Sequence, residues 1–216
     1  MRDTHVYTKN EEIVNAVTHG IGVLLSITAL VFLIISAKQN GSVWHVVTFS
    51  IYGGSMLILY LSSTLVHSFP EGKVKDLFEI FDHSAIYLFI AGTYTPFTLI
   101  VINGVLGWTL LTIVWAIALI GVVFKSFFTK KFMVLSTILY IVMGWLIVIA
   151  WNPLVETLPT AGITLLVTGG LLYTVGAIFY VWRGFIFHHA VWHLFVLAGS
   201  VSHFFTILFY VTPIRI

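Results

Sequence analysis

The amino-acid sequence predicts an all-α membrane protein, a seven-transmembrane helix bundle with its N-terminus cytoplasmic and its C-terminus outside. Composition, the spacing of apolar runs and the partition of basic residues predict it. Of 216 residues, 59% are hydrophobic and only 8% charged, whereas an ordinary soluble domain is about 25% charged. A hydrocarbon core about 30 Å thick takes roughly 20 apolar residues per spanning helix. Seven such runs follow one another, at residues 17–37, 43–66, 84–102, 105–124, 132–151, 161–181 and 190–211.

The first run is too long for the apolar core of a signal peptide and no small-residue cleavage site follows it, so it reads as a retained helix. Lys38-Gln39-Asn40-Gly41 turns the chain into the second run, and residues 70–76, with Pro70 and Gly72, separate the second from the third. Pro96 removes one backbone hydrogen bond inside the third run and predicts a kink there. Asn103-Gly104, residues 125–131, residues 152–159 and Arg183-Gly184 make the remaining connections. Polar stretches bearing Gly or Pro suit short interhelical turns, so residues 1–216 read as a single domain, with 1–16 a short cytoplasmic segment. Trp44, Trp108 and Trp151 fall near one membrane face and Trp182 and Trp192 near the other, as an aromatic belt places them.

With the N-terminus inside, the cytoplasmic segments hold Arg2, Lys9, Lys73, Lys75, Lys125, Lys130, Lys131 and Arg183, and the outer segments hold Lys38 and Arg215. Eight against two accounts for all ten Lys and Arg, and the positive-inside rule gives N-in, C-out. The net charge of +2 without a clustered basic face excludes nucleic acid as a partner. With no cysteine in the chain, disulfides and Cys-based zinc sites are excluded too. Lys131 is the last lysine, so the final two helices offer no amine for a retinal Schiff base. The midplane also lacks the charges a carrier uses.

An ionisable residue within or at the end of a span is costly and marks a functional site. The second run ends in Ser63-Thr-Leu-Val-His67, Asp82-His83 precedes the third, and His188-His189-Ala-Val-Trp-His193 opens the seventh. All three lie at the cytoplasmic level. His189 and His193, four apart, share one helical face and can grip one ion, with His67 as a third imidazole. Three histidines leave a fourth position open, the pattern of catalytic zinc, where water becomes acidic enough to act near neutral pH. Asp82 is placed to orient that water or take its proton, or else to cap the third helix. Ser63, one turn before His67, is placed to hydrogen-bond the water or a substrate carbonyl, or else to pack helices. His83 and His188 point elsewhere on their helices. His203, ten residues past His193, lies about 15 Å further along the helix and reads as a polar interhelical contact. Glu12, Asn15 and His19 align along one side of the first helix, where capping and interfacial anchoring is the favoured reading.

These motifs together resemble the bacterial haemolysin III branch of the progestin and adipoQ receptor family, which includes the adiponectin receptors. The resemblance rests on Glu12-x-x-Asn15-x-x-x-His19, Ser63-x-x-x-His67, Asp82 and His189-x-x-x-His193, in order on seven spans. It implies an inside zinc site made by His67, His189 and His193, with Asp82 and Ser63 close by. It also implies kinship to alkaline ceramidases, hence hydrolysis of lipid amides or esters. The expected function is that of a zinc-dependent hydrolase in the cell membrane, with a membrane lipid as substrate. A lipid sensor with structural zinc is the first alternative. A cytolysin is the second, although no amphipathic pore-forming hairpin is visible. About sixteen residues precede the first run, fewer than the cytoplasmic domain of the animal receptors occupies, so receptor-style coupling to cytosolic partners is not expected.

Overall fold

A computed structural model describes residues 7–215. Among them seven helical stretches are long and apolar enough to cross a membrane. The first, α1 (Lys9–Asn40), starts at a capping box. The Thr8 hydroxyl accepts from the Glu11 N–H at 3.3 Å, and the Glu11 carboxylate accepts from the Thr8 N–H at 2.9 Å, which satisfies two otherwise orphaned donors. Its buried face is Glu11, Asn15, His19, Gly22, Ser26, Ala29, Leu33 and Ala37. This stripe recurs every three or four residues and, apart from Leu33, is polar or small, while Ile13, Val17, Ile21 and Leu24 face outward. In lipid the outer face carries the apolar bulk, and small residues line the helix contacts. Gly22 shows why: a Cβ there would lie 2.5 Å from the Tyr60 ring of α2 (Val43–Ser68).

The third span begins earlier than expected. α3 runs Lys73–Pro96 behind Gly72, so the charged residues after Pro70 form helical turns and not loop. A helix need not stop at the bilayer surface when its polar turns can be solvated there. Asp82 consequently sits inside α3 and caps nothing. After Pro96, whose ring leaves the helix one donor short, residues Phe97–Ile102 continue in wider turns, with the Asn103 N–H bonding the Thr98 carbonyl at 3.0 Å.

Beyond α4 (Gly104–Phe128), the fifth span is broken in the middle. α5 (Met133–Trp145) tightens through Leu146–Ala150 and restarts as α6 (Trp151–Thr157). The Tyr94 hydroxyl holds the break. It accepts from the Ile147 N–H at 2.7 Å and lies 2.9 Å from the Met143 and Gly144 carbonyls. The helix passes through Asn152 and Pro153, expected to be loop, because Pro153 falls in the first turn of α6, where no partner for its nitrogen is needed. α7 (Thr160–Val181) and α8 (His188–Thr206) complete the bundle, and α8 loosens into wider turns over Ile207–Val211.

α1 packs on α2 and α8, α2 on α3, α3 on α4, and α5 and α8 on α7. The two ends of the bundle carry different residues. Lys75 of α3 pairs with Glu12 at the start of α1, and its neighbour Asp76 pairs with Lys130 at 2.5 Å. Arg215, near the C-terminus, donates to the Asn40 carbonyl at the far end of α1. The first and last described residues therefore lie at opposite ends of the bundle. Trp44 and Trp108 meet edge to face at 6.2 Å, on a shared level as their sequence positions predicted.

Candidate metal centre

The helix ends near Glu12 bring together the residues singled out in the sequence. His67 closes α2, and His189 and His193 open α8. All three are buried, and one ring nitrogen from each can be chosen so that these atoms lie within 4.8 Å of one another. The rings of His189 and His193, one helical turn apart, have centroids 4.5 Å apart. His67 approaches from α2 at 5.1 Å from His189 and 5.4 Å from His193.

Hydrogen bonds set the tautomers of two of these rings. His67 Nδ1 lies 2.6 Å from the Glu12 carboxylate, an acceptor when ionised, so Nδ1 carries a hydrogen and, in the neutral ring, Nε2 holds the lone pair. His193 Nδ1 lies 3.2 Å from the Asn15 carbonyl and 3.1 Å from the Thr18 hydroxyl. A carbonyl can only accept, so here too Nε2 keeps its lone pair. His67 Nε2 and His189 Nδ1 are buried and, among the described residues, have no hydrogen-bond partner. Buried polar atoms without partners cost roughly 1–3 kcal/mol each, and a cation accepting both lone pairs would remove that cost. Imidazoles are the usual donors of such a metal site, and His67 and His193 each have the second nitrogen anchored, as metal-ligating histidines commonly do. The three histidines therefore fit a metal ion.

Asp82 is half-buried on α3, with the Ser63 hydroxyl and the His67 and His83 rings as polar neighbours. Asp82, Ser63, His189 and His193 line one cavity, which continues between α3, α5, α7 and α8 past Phe89, Tyr94 and Tyr173 to His203. Ser62, Thr64 and Ser68 return their hydroxyls to the carbonyl four residues back, as hydroxyls in apolar helices commonly do. Ser63 instead faces the cavity. His203 is an interhelical contact, its Nε2 lying 3.0 Å from the Leu166 carbonyl oxygen, to which it donates.

His188 is fully buried, with Nδ1 3.2 Å from the Phe179 carbonyl, and stands outside the cluster. His83 also lines the cavity, held by the Glu79 carbonyl at 2.8 Å and the Tyr180 hydroxyl at 3.1 Å. Its ring is thus nearer the site than its place on the helix implied.

The capping and anchoring expected of Glu12, Asn15 and His19 is not what they do. Glu11 makes the cap, and its other carboxylate oxygen accepts from the Phe187 N–H at 3.2 Å, tying α1 to the loop that launches α8. Glu12 reaches His67 and Lys75. His19 stacks on His193 with centroids 3.4 Å apart and 13° between planes, backed edge-on by Tyr60. Tyr7, not identified from sequence, lies over the terminal side of the cluster, 5.2 Å from the His189 ring and 5.9 Å from that of His67. Burial pushes its phenol above the ordinary tyrosine range. Aromatic residues near a span end are common membrane anchors, and no sequence signal distinguished this one.

Seven apolar spans around a buried three-histidine cluster define a multi-pass membrane protein with a metal-type donor set at one end. The chain matches the family described as Haemolysin-III related over residues 7–204 and belongs to it. It is 62% identical over 205 residues to the Hemolysin-3 homolog of Bacillus subtilis, covering 95% of this chain and 96% of that one. It is 58% identical over 203 residues to Hemolysin-3 of Bacillus cereus, covering 94% and 93%. A distant relationship reaches human monocyte to macrophage differentiation factor, 30% identical over 206 residues, covering 91% and 83%. These relatives and the seven apolar helices place the chain in the cell membrane.

Proposed function

We propose that this protein is a zinc-dependent hydrolase of membrane lipid amides or esters. The observation that carries the reading is that two of the three clustered histidines, His189 and His193, line a mainly apolar cavity that is also lined by Asp82 and Ser63. Zinc suits three imidazoles with no thiolate in the chain. When bound, it supplies Lewis acidity and makes a water acidic enough to attack a carbonyl near neutral pH.

The chain's own residues do the rest. The cavity holds an acyl chain and excludes bulk water around it. Ser63 donates a hydrogen bond to the substrate carbonyl. Asp82 takes the proton of the attacking water and returns it to the leaving amine or alcohol, a contribution of typically 10²–10⁴-fold. The positive-inside rule puts this end of the bundle in the cytoplasm.

The test is release of fatty acid from a panel of lipid amides and esters by the purified protein, with and without chelator. Chelator-sensitive turnover supports the reading. Stoichiometric lipid binding without turnover moves the function to a sensor with structural zinc. The names of the Bacillus relatives speak of haemolysis, so lysis of red cells is measured beside the panel. Lysis without lipid turnover would replace hydrolysis with cytolysis.

A further inference from the structure

α1 contributes no histidine to the three-histidine cluster, yet it supplies the groups that hold two of its three members. The Glu12 carboxylate lies 2.6 Å from His67 Nδ1 through Oε2, and its Oε1 engages the Lys75 ammonium. Lys75 is in turn 3.0 Å from Glu71. One turn further along α1, the Asn15 carbonyl and the Thr18 hydroxyl meet His193 Nδ1 at 3.2 and 3.1 Å.

From these contacts we infer that Glu12 is a positioning residue of the metal centre: its carboxylate holds the His67 ring so that Nε2 faces His189 and His193. This rests on the reading of the three histidines as a metal centre. The physical case has two parts. Histidine at the end of α2 can swing about two side-chain torsions, and ordering it on metal binding costs free energy unless something orders it beforehand. A carboxylate on the non-ligating nitrogen fixes both ring orientation and tautomer and raises the basicity of the other nitrogen. Lys75 keeps the carboxylate in place from α3, so three helices converge on one imidazole. A salt bridge between α1 and α3 is the plainer role for Glu12, and it predicts different behaviour.

The test uses the full-length protein in detergent and compares Glu12→Gln, Glu12→Asp and Lys75→Met with wild type. Zinc affinity is read by chelator competition, the ligand field by visible absorption of the cobalt-loaded protein, and folding by thermal unfolding of the metal-free protein. Glu12→Gln is expected to weaken zinc by about 10–100-fold, the usual effect of losing such an outer partner. It should also shift the cobalt bands and leave metal-free unfolding within a few degrees of wild type. Lys75→Met should weaken zinc less than Glu12→Gln does. Glu12→Asp keeps the charge but shortens the reach, so its affinity should fall between Gln and wild type; it also serves if the Gln variant does not fold. Wild-type affinity and spectrum in Glu12→Gln would overturn the inference while leaving the three-histidine site standing. Equal losses in Glu12→Gln and Lys75→Met, matched by equal losses of metal-free stability, would reduce Glu12 to a structural tie. A wild-type protein that binds neither metal would overturn the metal centre itself, and this inference with it.

Discussion

Asp82→Asn separates metal binding from hydrolysis. Asp82 lies beside Ser63 and lines the cavity, but it is not part of the three-histidine group whose donor atoms converge. Asn is close to isosteric and keeps hydrogen-bonding capacity toward Ser63, so the helix contact survives while the proton acceptor is lost. Zinc content should therefore remain near wild type. With the coordination assigned to His67, His189 and His193, removal of an outer carboxylate should change affinity by no more than about 10–100-fold. Turnover of the best lipid amide should fall by at least ~100-fold, roughly 2.7 kcal/mol of barrier, the lower end of general acid–base help. The assay is fatty-acid release under single-turnover conditions, beside metal analysis of the same preparation. Unchanged turnover in Asp82→Asn would remove it from the mechanism. Loss of zinc together with turnover would make Asp82 a ligand instead.

Other predictions test the frame around the site. A reporter fused after Arg215 should read as external, because eight of ten basic residues lie on the N-terminal side of the topology; a cytoplasmic reading would invert the placement of the metal centre. Tyr94→Phe should destabilise the protein by about 1–3 kcal/mol, since the Ile147 N–H loses its 2.7 Å acceptor at the break in the fifth span. Thermal unfolding in detergent checks this, and no change would refute the role given to Tyr94. Gly22→Ala should cost about 1–3 kcal/mol, because its methyl group would meet the buried Tyr60 ring at 2.5 Å. Gly54→Ala, with nothing within 4 Å, should be neutral or slightly stabilising.

The seven spans were legible because a bilayer sets their length, and the hinge residues between them are polar, Gly or Pro. The meeting of His67, His189 and His193 was legible for a related reason. Helices that cross a slab run nearly antiparallel, so distance from a span's end serves as a depth coordinate, and residues of equal depth become candidates for contact. Depth says nothing about azimuth. Sequence showed that Glu12, Asn15 and His19 share one face of α1, but not that α2 and α8 pack on that face, and so their contacts with His67 and His193 were missed. The charges of residues 73–79 resembled a loop because hydropathy alone marked the boundary; Gly72, the true start signal, lay inside the stretch assigned to the turn. The restart at Trp151, just before Asn152-Pro153, was hidden because Asn-Pro reads as a turn unless a tertiary contact such as Tyr94 holds the chain in a tighter helix.

The central claim is that His67, His189 and His193 form one metal site, and metal content per chain tests it most directly. The protein, purified in detergent without chelator, is analysed by elemental mass spectrometry beside His67→Ala, the double variant His189→Ala/His193→Ala, and His203→Ala. About one zinc per chain is expected in wild type and in His203→Ala, whose ring belongs to a contact with Leu166. Little or none should remain in the single His67 variant or the double variant. Full zinc retained by the double variant, or none in wild type after loading, would contradict the account.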